Sequence, residues 1–207
     1  MTHKILQATF VFFLITVLLG PSHGAESTAM EKIKSQNIDA QKEGFDEILK
    51  SRHQIIDGLI NVLQTSDRNS GDPAQSSIIT AINALGELRA VEAISILIDY
   101  IEYIPISTPT HPSGIPPAHF RLSPLDEQYA AVKALIDIGN PSIPLLLEEM
   151  ATTDSMVAFL NSGWVIHQIE GPKVMIIRLK EKSGEITDST KRERMENLIS
   201  NLSVGSN

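Results

Sequence analysis

The chain has 207 residues, no cysteine, and 17 lysines and arginines against 25 aspartates and glutamates, which gives a net charge of −8. This length allows one domain with a substantial hydrophobic core, and the lack of cysteine excludes disulfides and a lipid-modified cysteine. The acidic balance repels a phosphate backbone, so we expect no nucleic-acid partner.

Residues 1–25 are typical of a signal peptide. Lys4 precedes an apolar run over residues 5–20, which is shorter than the roughly 20 residues of a membrane-spanning helix. Pro21 breaks the run, and cleavage is expected at the small residues Gly24 and Ala25. We therefore predict an exported protein, periplasmic or secreted, that does not insert into a membrane after cleavage. The alternative is an uncleaved anchor that tethers the same domain outside the membrane.

Residues 26–43 form a polar leader in this interpretation, either mobile or a frayed helix, with few large apolar side chains. From residue 44 to 64 the apolar residues return at helical spacing. They are Phe45, Ile48, Leu49, Ile55, Ile56, Leu59, Ile60 and Leu63. We expect this helix to cap a helical domain over residues 44–203, whose next helix starts near Asp72.

Two stretches of the chain repeat one pattern 50 positions apart. Residues 81–97 read AINALGELRAVEAISIL, and residues 131–147 read AVKALIDIGNPSIPLLL. The apolar spacing predicts two short helices that meet at a corner in each copy. The small residues Ala84 and Ala134 would let neighbouring helices approach closely. Glycine and proline suit the second corner, at Gly139, whereas the first has Arg89 and no glycine.

A third, more degenerate copy follows 31 positions later, with its corner at residues 170–172. The helices of the three pairs are predicted at residues 72–88 and 91–103, 125–138 and 141–150, and 154–169 and 172–182. Trp164 is expected on the apolar side of the third pair, and Ser183-Gly184 is expected to end it. Residues 188–202 are highly charged but keep a thin stripe of Met195, Leu198, Ile199 and Leu202, as a C-terminal cap requires.

The motifs Ala84-Leu85-Gly86-Glu87-Leu88, Leu135-Ile136-Asp137-Ile138-Gly139-Asn140-Pro141 and Ile169-Glu170-Gly171-Pro172 resemble the HEAT-repeat superfamily, particularly its short bacterial, phycobilin-lyase-like form. The resemblance covers about half the chain. It implies an all-α fold, an α-solenoid of antiparallel helix pairs with about three pairs and terminal capping helices. It also implies that the protein serves as a scaffold, and it indicates no particular enzymatic activity. The alternative fold is an irregular helical bundle.

The insertion at residues 104–124 contains six prolines, which exclude a helix. It ends in His119, Phe120 and Arg121, an aromatic between two potential cations, and such residues often anchor binding surfaces. Tyr103 lies at its other end. We therefore name Tyr103, His119, Phe120 and Arg121, with Asp99 and Glu102 on the wet side of the preceding helix, as candidate partner-binding residues. The alternative is that Phe120 only fills the edge of the core.

The sequence assigns no catalytic, cofactor-binding or metal-binding residue. No two histidines after the signal have the i, i+4 spacing of a helical metal site, and His167, between apolar residues, is expected to be a partly buried structural residue. No nucleophile elbow, Walker loop or dinucleotide fingerprint is present. The carboxylate pairs Asp99 with Glu102 and Glu148 with Glu149 are interpreted as solvated helix faces.

Two classes of function remain. The sequence favours an exported, non-enzymatic scaffold that binds another protein through its helical repeats. The alternative is a lyase-like enzyme or cofactor chaperone built on the same repeats. An enclosed pocket with convergent polar groups would favour the enzyme, and an open groove would favour the scaffold.

Overall fold

The computed structural model describes residues 23–35, 37–68, 72–104 and 129–204, and all regular secondary structure in these ranges is helical. The helices are α1 (His23–Ile33), α2 (Ile38–Thr65), α3 (Asp72–Glu87), α4 (Ile94–Asp99), α5 (Ala130–Ile138), α6 (Ile143–Thr152), α7 (Met156–Glu185) and α8 (Ser189–Val204). Short 3-10 helices, Val91–Ala93 and Asn140–Ser142, precede α4 and α6. The predicted signal peptide, except its last three residues, and most of the predicted insertion lie outside the described residues.

The chain forms two compact units, divided between Asn61 and Val62 inside α2. In the first unit, the stretch predicted as a polar leader is largely helical. Lys32 of α1 pairs with Glu47 of α2 at 2.7 Å and with Glu43 at 3.2 Å. These two carboxylates raise the pKa of Lys32. α2 begins six residues earlier than predicted because the Asn37 side chain accepts a hydrogen bond from the Asp39 amide at 2.9 Å, which is the pattern of a helix N-cap.

The remaining helices belong to the second unit, whose first corner follows α3. The Ala90 amide donates to the Leu85 carbonyl, and the Arg89 amide donates to the Gly86 carbonyl. These two bonds form a Schellman motif, which ends a helix on a left-handed residue. Arg89 is that residue, with a φ of 49°. The predicted corner is therefore correct, with arginine in the place that glycine usually takes.

α4 is shorter than the predicted helix over residues 91–103, because contacts from distant parts of the chain take over its end. The Tyr100 hydroxyl donates to the Leu63 carbonyl at 2.5 Å, and the Asn161 amide donates to the Ile101 carbonyl at 2.8 Å. Tyr100 is almost completely buried. The predicted exposed face of this segment, which includes Asp99 and Glu102, is confirmed.

The second and third corners lie at Gly139 and Gly171, as predicted. Their φ values are 85° and 77°, with ψ values of −146° and 168°, in a backbone region that is nearly exclusive to glycine. α5 and α6 are bent by 111° across the second corner. At the third, a kink divides α7 into two halves. The helix ends at Glu185, one residue beyond the predicted break at Ser183-Gly184.

Helices of the second unit pack on the next helix along the chain or on the one after it. α3 packs on α5, α5 on α7, α6 on α7, and α7 on α8. At the first crossing, a Cβ placed on Gly86 would lie 2.7 Å from the Cα of Ala134, so the two backbones nearly touch, as the small residues predicted. Leu85 and Leu135, equivalent in the two repeats, are both fully buried.

α8 is the last helix of this unit and keeps the predicted apolar stripe. The Asp188 side chain accepts hydrogen bonds from the Thr190 and Lys191 amides, at 2.9 and 3.2 Å, and so caps the start of the helix. Met195, Leu198 and Ile199 are buried, and Leu202 is half-buried. Among the described helices, none alone has the length and apolarity to cross a membrane; the bent pair α5–α6 meets that test only when both helices are counted together.

Candidate functional site

Three of the six predicted partner-binding residues, Asp99, Glu102 and Tyr103, lie together at the end of α4, whereas His119, Phe120 and Arg121 lie outside the described residues. Asp99 and Glu102 are exposed. The Asp99 backbone carbonyl accepts a hydrogen bond from the Arg68 guanidinium at 2.9 Å. The same guanidinium lies 3.9 Å from the centre of the Tyr100 ring, in the geometry of a cation–π contact.

Tyr103 completes this aromatic cluster. Its ring meets that of Tyr100 edge-on, with centroids 5.5 Å apart and an interplanar angle of 73°. Its hydroxyl is buried and has no hydrogen-bond partner among the described residues. Burial raises the pKa of this phenol. Tyr103 is therefore partly a packing residue.

The third tyrosine stands on the far flank of the insertion. Tyr129 directly precedes α5, and burial, together with the negative charge of Glu102, raises its pKa. α4 also packs against α5, which Tyr129 precedes. The residues that flank the insertion come together at the end of α4.

A second candidate site is a groove of about 370 Å³ between the start of α7 and one face of α8. Its lining residues are Met156, Phe159, Thr190, Glu193, Arg194, Asn197, Leu198 and Asn201. Met156 is 52% exposed, while Phe159 is only 1% exposed and Leu198 3%. These three side chains give the groove an apolar floor that is open to solvent at Met156.

Arg194 fixes the wall of this groove to the end of α6. Its guanidinium donates to the Thr153 carbonyl at 2.8 Å and lies 4.3 Å from the centre of the Phe159 ring. A cation next to the carbonyl end of a helix is stabilised by the helix dipole. Its Nε is buried and finds no partner among the described residues. The hydrogen bonds that this side chain makes are thus directed away from the groove.

Lys191 strengthens the same junction. Its ammonium donates to the Thr152 carbonyl and pairs with the Asp154 carboxylate at 2.9 Å. The hydrogen bond from Lys191 lowers the pKa of Asp154. Two cations of α8, Lys191 and Arg194, therefore bind the carbonyl end of α6.

The polar side of the groove is a stripe on α8. Glu193, Asn197 and Asn201 follow one another at intervals of four residues, so they share one face of the helix. All three are exposed. Within the described residues, none of the three side chains makes a hydrogen bond or ion pair with another residue. Sequence reasoning missed this stripe because it interpreted the polar side of the last helix as solvated; the two asparagines at i, i+4 were the available signal.

The predicted partial burial of His167 is confirmed. Its ring stacks on that of Trp164, with centroids 5.7 Å apart and an interplanar angle of 11°. Burial lowers the pKa of His167. Trp164 is buried, on the apolar side of its helix as predicted. Its indole N–H has no partner within the described part of the chain.

Several acidic residues of the described ranges pair with lysines. Glu148, one of the predicted solvated carboxylates, pairs with Lys182 at 2.7 Å. The hydrogen bonds that Lys182 donates to Glu148 and Glu185 raise the pKa of this lysine. Over residues 23–35, 37–68, 72–104 and 129–204, no three histidine or acidic side chains cluster as a metal site would require.

Comparison with known proteins gave no match of any kind: no family model, no curated protein and no solved structure is similar to this chain.

Proposed function

We propose that the second unit is an α-solenoid of the HEAT type, built from three antiparallel helix pairs and closed by α8. Three observations support this arrangement. The first helices of the pairs contact in succession, α3 on α5 and α5 on α7. Arg89, Gly139 and Gly171 stand at equivalent corners, each with a positive φ. The buried residues Leu85 and Leu135 also occupy the same position of the sequence repeat.

On this framework the protein acts as a non-enzymatic scaffold that binds another protein. The observation that carries the proposal is the groove beside α8. It is open at Met156, apolar at its floor, and lined along one side by polar groups that are not used within the described fold. Such a combination of an apolar centre and a polar rim is typical of interaction surfaces.

The proposed binding takes place outside the cytoplasm. The support is the sequence of residues 1–25, which follows the order of a charged start, an apolar run and small residues at a cleavage point. Terminal sequencing of protein recovered from outside the cytoplasm should find Ala25 or Glu26 first. Recovery of a chain that starts at Met1 would favour the uncleaved anchor.

Quantitative affinity capture with a matched control tests the scaffold function. The wild-type protein, Met156→Glu and Ile177→Glu are used as baits on the envelope and extracellular fractions of the source organism. Both substitutions place a charge at an exposed apolar residue of α7, 52% and 57% exposed respectively, but only Met156 lines the groove. We expect at least one protein to be captured by the wild type and by Ile177→Glu and lost with Met156→Glu. The proposal is wrong if no captured protein depends on Met156.

A further inference from the structure

We infer that the groove beside α8 binds an extended peptide segment of its partner, in which a lysine or arginine stands two residues from a large apolar side chain. This inference rests on the proposed scaffold function and names the kind of partner segment that the groove recognises. It combines three features of the lining: the apolar floor, the two free amides and the single uncompensated carboxylate.

The floor selects one large apolar side chain. Met156 leaves half of its own area in water, whereas Phe159 and Leu198 are almost completely buried. The Arg194 guanidinium lies over the Phe159 ring, so the open apolar surface is that of Met156. The volume of about 370 Å³ lies at the lower end of ligand pockets, which span roughly 300–1,000 Å³. An aliphatic side chain that covered Met156 would remove apolar surface from water on both partners.

The two asparagines select the main chain of an extended segment. Each side-chain amide offers a donor and an acceptor, which complement the N–H and C=O groups of a peptide unit. Asn197 and Asn201 are separated by four helical residues, a rise of about 6 Å. Two residues of an extended chain cover about 6.6 Å. Alternate peptide units of one strand can therefore meet both amides.

A helical partner would not use these amides. Within an α-helix the main-chain groups are already bonded to one another, so a docked helix would leave both amides with water alone. The lining thus distinguishes an extended segment from an amphipathic helix.

The charge of the groove favours a cation on the segment. Glu193 lies one further turn along the same stripe and has no partner among the described residues. The neighbouring cation, Arg194, is directed at the carbonyls of Met150 and Thr153, where the partial negative charge at the end of α6 offsets it. A basic side chain about two residues from the apolar one reaches Glu193, and the net charge of −8 attracts such a segment at longer range.

A peptide titration tests the inference on the full chain. The probe is the N-acetylated, C-amidated heptapeptide GSKSLSG, with GSESLSG and GSKSSSG as charge and floor controls. Isotope-labelled protein is followed by NMR at the side-chain amides of Asn197 and Asn201, and at the backbone amides of α8, which remain as reporters in every variant. We expect saturable shifts with a Kd of about 1 mM or tighter, and binding at least about fivefold weaker for each control peptide.

Variants assign the contacts. Asn197→Ala with Asn201→Ala should weaken binding about tenfold, as expected for the loss of two main-chain hydrogen bonds. Gln168→Ala, which removes an exposed amide from α7 outside the groove, should leave the Kd unchanged. Glu193→Gln should remove the preference for the lysine peptide over the glutamate peptide. Thermal melts establish that each variant is folded.

Three results would overturn the inference. They are no saturable shift with GSKSLSG, equal binding of GSESLSG, and stronger binding of a helical peptide that carries the same lysine and leucine on one face. If any of these occurs while a captured protein still depends on Met156, the scaffold function stands and only the class of segment is wrong. If no captured protein depends on Met156 either, both proposals fail.

Discussion

Arg89 holds a left-handed backbone conformation that costs a residue with a side chain about 1–2 kcal/mol. Its side chain is exposed, so it gains little packing in return. Glycine would remove this strain but would lose about 0.5–1 kcal/mol through its greater freedom in the unfolded chain. We therefore expect Arg89→Gly to raise the free energy of unfolding by about 0.5–1 kcal/mol in chemical denaturation, and Arg89→Val to lower it.

The corners at Gly139 and Gly171 serve as controls for the effect of Arg89→Gly. A Cβ at Gly139 or Gly171 would meet no atom within 4 Å, so any cost of alanine there comes from the backbone alone. Gly139→Ala and Gly171→Ala should each lower the free energy of unfolding by about 1–3 kcal/mol. A loss of stability in Arg89→Gly would contradict the strain assigned to that corner.

His167 makes the Trp164 side of α7 sensitive to pH. Its pKa in the folded protein lies below the ordinary value of 6.5, so between the two values the unfolded chain binds more protons. The neutral His167 ring therefore contributes fully to the free energy of unfolding above pH 6.5. This contribution is lost as the pH falls through the pKa of the folded protein. Because Trp164 is the only tryptophan and stacks on this ring, its fluorescence should titrate with a midpoint below 6.5.

The variant His167→Gln removes the titrating ring and keeps a polar side chain. Its fluorescence should stay constant through the same pH range. A transition that persists in His167→Gln would show that another group changes the environment of Trp164.

Among the helices, α8 is fixed by the cations that it directs at the end of α6. Arg194→Met would replace the guanidinium over the Phe159 ring with an uncharged thioether and lose the charged hydrogen bonds to Met150 and Thr153. We expect the free energy of unfolding to fall by about 1–3 kcal/mol. Lys180→Met, at an exposed cation of α7, should change it by less than about 0.5 kcal/mol. Equal effects of the two substitutions would exclude the proposed role of Arg194.

The crossing of α3 and α5 depends on a missing side chain. A methyl group on Gly86 would lie 2.9 Å from the Cβ of Ala134, so Gly86→Ala must push the helices apart and should cost about 1–3 kcal/mol. Gly184→Ala, where nothing lies within 4 Å, should instead gain up to about 1 kcal/mol from helix propensity. Denaturant midpoints of the two variants should move in opposite directions.

Across the whole molecule, the repeat equates Leu85 with Leu135, and both side chains are completely buried. Leu85→Ala and Leu135→Ala should each lower the free energy of unfolding by about 2–5 kcal/mol. Losses within about 0.5 kcal/mol, as at surface positions, would contradict their placement in the core.

Local patterns predicted the helices and corners, because helical periodicity and corner residues act within a few positions. The corner at Gly171, the apolar stripe of α8 and the burial of Trp164 all follow from such patterns. The early end of α4 does not, since it depends on the bond from Tyr100 to Leu63, 37 positions away. The groove was equally hidden, because α7 supplies its floor near Met156 and α8 its polar stripe more than 30 positions later.

The clustering of the aromatic phenols also has a use in chemical footprinting. All three tyrosines of the chain, Tyr100, Tyr103 and Tyr129, lie at the end of α4 or directly before α5, on the flanks of the proline-rich insertion. Tyr100 is almost completely buried, and the other two are partly accessible. The rate of tyrosine nitration therefore reports on the solvent access of the insertion flanks. A partner that covers the insertion flanks would protect Tyr103 and Tyr129, whereas a peptide seated beside α8 would leave their reactivity unchanged.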